Sequence, residues 1–307
     1  MVKLKKYRGV VIPMITPFTA NDCLDTDAAG RITEHIRASG ACVFVLGTTG
    51  EAVSIRPSIK SRLVETTVKN NSQQTLTYAG IIDNCPATSV DMANRFFELG
   101  ADVVVACVPS YYPLTDDDIL NYFETLAEHT GGPLMLYNIP VTTGVSTPLE
   151  VIDRLSHHPA IIGLKDSAKD TERMKQAIEM WKNREDFTYL SGCTSLSATA
   201  LTLGADGIVP GVGNIVPGLF KKLYDAVLSG DLEQANRYQA RSDSITKILQ
   251  DKRNLSESLS VLKAIMHILG FCSPKMLPPL RELTADQIQD IRETVNSMSL
   301  LEENHNL

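Results

Sequence analysis

The chain has 307 residues, a formal net charge of −7, and 43% hydrophobic against 21% charged residues. That balance excludes a disordered chain, and the acidity argues against nucleic acid or an anionic membrane surface as a partner. No apolar stretch approaches the roughly 18 residues of a membrane span, and the length suits one α/β barrel with extra helices.

The chain opens with basic residues and an apolar run, which superficially resembles a secretion signal. Pro13 and Pro17 interrupt that run and no small-residue cleavage site follows, so it reads as a lead into a strand. Runs rich in Val and Ile then recur at 9–17, 41–47, 76–82, 102–108, 133–139, 161–167, 187–192 and 207–212. They lack polar alternation, as parallel strands covered on both faces do. Segments of helical periodicity lie between them, at 26–39, 89–99, 116–128, 147–156 and 170–182. Asp116–Asp118 form an acidic first turn, and Pro148 falls at a first helical position. The repeated joints around Gly100 and Gly204 end helices and begin strands at once.

Eight such units predict a closed (β/α)8 TIM barrel over residues 1–230, in preference to an open doubly wound sheet. Helical patterns at 219–228, 232–249, 256–269 and 285–298 follow without a strand. Residues 231–307 are therefore expected to form a C-terminal helical region packed on the barrel. Six scattered cysteines without CxxC spacing read as reduced thiols of a cytoplasmic protein. The histidines show no metal spacing, and His157-His158 reads as structural.

In such a barrel the chemistry sits at the C-terminal ends of the strands. Strand six, Ile161-Ile162-Gly163-Leu164-Lys165-Asp166-Ser167, carries a lysine in an apolar run. Alternation places Ile161, Gly163, Lys165 and Ser167 on one face, with Gly163 leaving space beside the lysine. Burial lowers a lysine pKa, and a neutral amine attacks a ketone carbon. The competing reading is a strand-mouth lysine paired with a carboxylate such as Asp166. Tyr137 ends the preceding strand and is either a proton donor and acceptor or a packing residue. Gly47-Thr48-Thr49-Gly50 is a turn whose amides and hydroxyls suit a carboxylate, with Glu51 in a first helical turn.

Taken in order, GTTGE, YNIP and GLKDS resemble the dihydrodipicolinate synthase / N-acetylneuraminate lyase family of pyruvate-dependent class I aldolases. The resemblance runs from about Tyr7 to the C-terminal helices. It implies a barrel with a helical C-terminal region, assembled as a homotetramer (a dimer of dimers). It implies Lys165 as Schiff-base lysine, Tyr137 as proton shuttle, and Thr48 and Thr49 as carboxylate holders, with Thr48 also in the proton relay. Tyr111 matches an aromatic contributed to a neighbouring subunit's site, and Gly192 and Val209 match pocket-lining positions. No metal or organic cofactor is expected.

Two departures bear on the substrate. Thr142 stands where the synthases carry an arginine for the aldehyde's carboxylate, and Cys193-Thr194-Ser195 stands where sialic acid lyases carry an acidic pair. The expectation is a Schiff-base lyase releasing pyruvate from a 2-keto-3-deoxy sugar acid or a 4-hydroxy-2-oxo acid. The alternatives are 4-hydroxy-tetrahydrodipicolinate synthase, N-acetylneuraminate lyase, a 2-keto-3-deoxy acid dehydratase and, outside enzymes, a keto-acid sensor.

Overall fold

The structure is a computed structural model that describes residues 5–71, 75–298 and 300. Its strands are β1 (Gly9–Pro13), β2 (Cys42–Val45), β3 (Thr77–Gly80), β4 (Val103–Cys107), β5 (Leu134–Asn138), β6 (Ile161–Asp166), β7 (Thr188–Ser191) and β8 (Gly207–Ile208). They pair in parallel in sequence order, and β8 closes on β1. The helices are α1 (Thr26–Ala38), α2 (Pro57–Asn71), α3 (Pro86–Glu98), α4 (Asp116–His129), α5 (Pro140–Thr143), α6 (Leu149–Leu155), α7 (Thr171–Trp181) and α8 (Ser197–Leu203). After them come α9 (Pro217–Leu228), α10 (Leu232–Gln250), α11 (Leu255–Ile268) and α12 (Ala285–Ser297). The expected barrel with C-terminal helices is the architecture found.

The strands carry two apolar faces because both sides are covered. Val11, Phe44, Tyr78, Val105, Met135, Tyr137 and Leu190 form an inner cluster. Val10, Ile12, Val43, Val104, Leu136 and Leu164 join the helices in a larger outer core. Capping fixes where several helices start. Thr115, Asn254 and Thr284 form reciprocal capping boxes at α4, α11 and α12, each contributing about 1 kcal/mol. Gly100 and Gly204 adopt positive φ at the helix-to-strand joints, as their sequence context requires.

Some elements differ from the sequence reading. Every strand is shorter than its apolar run, β1 and β8 most: β1 ends at Pro13 and β8 at Ile208, and a short 3-10 turn, Gly211–Asn214, follows the latter. Pro148 precedes α6 as its N-cap instead of opening the helix. Helix α2 escaped the periodicity test because its buried face includes Lys60, Thr67 and Asn71 beside Leu63 and Val64. Along β6 the alternation breaks. Leu134 pairs with Ile161 and Met135 with Gly163, so Ile162 is an extra residue. Ile161 consequently joins the outer core and Ile162 the inner cluster, against the simple alternation. Nor does Gly163 leave space beside the lysine. A Cβ there would lie 2.4 Å from the Thr188 carbonyl oxygen, so the glycine permits close approach of β7.

Candidate active site

The upper ends of β5 and β6 set the centre of the site. Tyr137 pairs in register with Lys165, and Asn138 with Asp166. The two strand ends are tied by one buried carboxylate. Asp166 accepts from Asn138 Nδ2 at 2.9 Å, from the Ala168 N–H at 3.0 Å and from Arg173 Nε at 2.8 Å. Asn138 accepts in turn from the Thr147 N–H at 3.0 Å. Asp166 is therefore committed to Arg173, and the reading that paired Lys165 with it does not hold.

Lys165 is 5% exposed. Among the described residues it has no hydrogen bond and no ion pair. Its Nζ instead lies 3.7 Å from the Tyr137 ring centroid and 4.9 Å from that of Phe44. Burial drives its pKa down from 10.5 to about 7, because removing an ammonium from water disfavours the charged form. The same burial raises the Tyr137 phenol well above its ordinary value, against hydrogen bonds from Thr48 and Ser167 that lower it. The Tyr137 hydroxyl lies 3.4 Å from Thr48 Oγ1. Near neutral pH a substantial share of the amine is therefore uncharged, beside a protonated phenol.

A cavity of about 500 Å³ opens above Lys165. Thr48, Thr49, Tyr137, Gly192 and Val209 line it with the lysine. The Gly47–Gly50 turn is internally bonded through the Gly50, Glu51 and Ala52 N–H groups. The Thr48 and Thr49 N–H groups have no partner among the described residues, and so are available to an anion. Gly192 allows β7 to close on β6, since a Cβ there would meet Ser167 Oγ at 2.0 Å.

Two candidates lie elsewhere. Thr142 lines an adjoining cavity of about 640 Å³, which also touches Thr48 and Lys60, and its hydroxyl donates back to the Ile139 carbonyl. Tyr111 is 85% exposed at φ 108°, edge-on to Tyr112, and does not line the Lys165 cavity of its own chain. A wider groove of about 1010 Å³ between α1 and α2 holds none of the candidate residues.

Some residues near the site escaped the sequence reading. Glu51 stands at the start of a short 3-10 turn, Ala52–Ser54, as its N-cap at φ 57°, and its burial and partners were not foreseen. It accepts from Lys263 Nζ at 2.6 Å and from the Leu277 N–H at 3.1 Å. Lys263 also donates to the Thr16 carbonyl at 2.6 Å, so α11 grips both the segment after β1 and the threonine turn. A charged residue inside the run Val261-Leu262-Lys263-Ala264-Ile265 was the available signal. Lys169 and Arg253 line the cavity mouth but had no motif to mark them. Among the described residues, no group of three or more His, Cys, Asp or Glu is placed to hold a metal, and no helix is long and apolar enough to cross a membrane.

The model of the dihydrodipicolinate synthetase family matches residues 6–298. An uncharacterized DapA-like lyase of Halobacterium salinarum is 31% identical over 294 residues, covering 95% of this chain and 94% of that protein. The 4-hydroxy-tetrahydrodipicolinate synthase of Thermodesulfovibrio yellowstonii is 26% identical over 296 residues, covering 96% of this chain and 99% of that protein. The structure of dihydrodipicolinate synthase from Bacteroides thetaiotaomicron matches with a TM-score of 0.91 at 29% identity, over 96% of this chain and 100% of that one. The chain belongs to the dihydrodipicolinate synthetase family, and is accordingly a lyase of the class I aldolase type.

Proposed function

We propose that this lyase cleaves a hydroxylated 2-oxo acid to pyruvate and an aldehyde through an imine on Lys165. The observation that carries the reading is the state of that lysine: buried, unpaired among the described residues, and shifted to about 7. The amine lone pair attacks the C2 carbonyl, the C–N bond forms, and the carbonyl oxygen leaves as water. The protonated imine draws in the C3–C4 bonding electrons as the C4 hydroxyl loses its proton. An enamine remains and the aldehyde departs. Protonation at C3 and hydrolysis of the imine then release pyruvate and restore the amine.

Tyr137 is placed to move these protons, with Thr48 Oγ1 at 3.4 Å as the next member of a relay. Tyr111 of a neighbouring copy in a homotetramer completes that relay, which accounts for an exposed tyrosine held at positive φ. The Thr48-Thr49 turn holds the substrate carboxylate, and Gly192 and Val209 bound the pyruvyl unit. Thr142 has no part in this reading. A second reading, favoured by the relatives' names, is 4-hydroxy-tetrahydrodipicolinate synthase, in which the enamine attacks an incoming aldehyde.

Borohydride reduction in the presence of pyruvate, followed by peptide mass spectrometry, tests the mechanism. The expected product is a stable adduct on Lys165. No adduct, or one on another lysine, overturns it. Tyr137→Phe is expected to retain the adduct while turnover falls about 10²–10⁴-fold. Useful turnover with the aspartate-derived aldehyde would favour the second reading over the first.

A further inference from the structure

The cavity above Lys165 is also lined by two cationic side chains, Lys169 and Arg253, and by no carboxylate among the described residues. This is notable in a protein with 36 acidic and 29 basic residues. In the reading above, the substrate's own carboxylate is held at the Thr48-Thr49 turn, and Lys165 reacts as the neutral amine. The two cations at the mouth exceed what a substrate with one anionic group requires. We infer that Lys169 and Arg253 recognise a second anionic group, a carboxylate or a phosphate, at the end of the substrate remote from C2. The inference rests on Lys165 as the imine-forming residue and narrows the substrate class.

The mouth is built to present both charges. Lys169 follows β6 in a left-handed conformation at φ 53°, which disfavours a residue with a Cβ by about 1–2 kcal/mol. Neighbouring contacts hold the turn. Asp166 accepts the Ala168 N–H on one side, and Asp170 accepts the Glu172 and Arg173 N–H groups on the other. Asp170 is thereby turned to the start of α7, and the exposed Lys169 ammonium has no partner among the described residues. Strained backbone of this kind persists where a side chain has to point one way.

Arg253 reaches the same cavity from the loop joining α10 to α11. Its Nη1 donates to the Ile248 carbonyl at 2.8 Å and approaches that of Asp251 at 3.5 Å, which anchors the guanidinium. Nε and Nη2 have no partner among the described residues. A planar guanidinium anchored along one edge can bind carboxylate or phosphate oxygens through the other. The asparagine of the next capping box, Asn254, also lines the cavity, so the loop is fixed from both sides.

Imine trapping on Lys165 with pairs of 2-oxo acids of equal chain length tests the inference without requiring turnover. Suitable pairs are 2-oxopentanoate against 2-oxoglutarate and 2-oxohexanoate against 2-oxoadipate. A third arm uses a 2-oxo acid ending in a phosphate ester. At low salt, the half-saturating concentration is expected to be about tenfold or more lower for an anion-terminated member, the range of one or two charged hydrogen bonds. Which arm gains more identifies carboxylate or phosphate as the group. Lys169→Gln is expected to remove most of that preference and leave pyruvate trapping unchanged. Arg253→Gln gives the same result, and Arg253→Lys guards against loss of the loop contact. Equal trapping of every pair, or an equal shift of charged and neutral members in the variants, overturns the inference alone. Failure of pyruvate to trap on Lys165 overturns the imine reading itself, and the inference with it.

Discussion

Lys165 occupies a place where a protonated amine is poorly solvated, between the rings of Phe44 and Tyr137. The unfolded chain keeps that proton up to about 10.5, whereas the folded one releases it above about 7. Between these values the unfolded state binds more protons, so stability rises with pH across the window. Below it the folded state carries the full penalty, on the order of 5 kcal/mol. Lys165→Met, which fills the same slot without a charge, is expected to raise the urea midpoint at pH 7 and abolish the adduct. The gain should shrink towards pH 10; an unchanged midpoint at pH 7 would count against the burial penalty. Single residues were unevenly legible. Lys165, Tyr137, Thr48 and Thr49 sit in short motifs at strand ends, where the barrel forces convergence. Lys169 and Arg253 are distant in sequence and look like ordinary surface charges until the fold joins them at one mouth.

At the level of elements, the threonine turn depends on a helix more than 200 positions away in sequence, through the Lys263–Glu51 ion pair. Their side chains are 1% and 0% exposed. Removing one partner of such a pair leaves a buried charge uncompensated. Lys263→Met is therefore expected to cost about 3–5 kcal/mol, read by denaturant unfolding. The half-saturating pyruvate concentration should rise with it, because Thr48 and Thr49 precede Glu51 directly. Glu51→Gln with Lys263→Met should cost less than the sum of the single changes, since the double variant leaves no orphaned charge. Additive costs would show that the two residues act separately. The elements themselves were legible where apolar spacing was clean, as in α1 and α4, and illegible where polar residues face inward, as in α2.

At the scale of the molecule, the barrel followed from repetition alone: eight similar units have one economical closed arrangement. What repetition could not reveal is that α10 and α11 supply part of the cavity wall, through Thr246, Leu249, Leu259 and Leu262. Tyr111 and Tyr112 are 85% and 71% exposed and stack edge-on against each other. If a second copy delivers Tyr111, turnover per chain should fall on dilution in step with loss of the larger species in sedimentation. Imine trapping should persist in the dissociated chains. Unchanged turnover in fully monomeric protein would exclude a shared relay.

The additional residue at Ile162 gives β6 two segments with separate phases. Below it, the strand keeps step with the outer core through Ile161; above it, a fresh count starts at Gly163 and ends on the Lys165 amine. Gain or loss of a residue at the barrel floor can be absorbed at Ile162 without rotating Lys165 out of the cavity. A slip of one position between Gly163 and Lys165 has no such buffer and would turn the amine into the helix layer. Tolerance to changes of length is therefore directional along this strand: the floor can drift while the two residues below Lys165 are held to a fixed count.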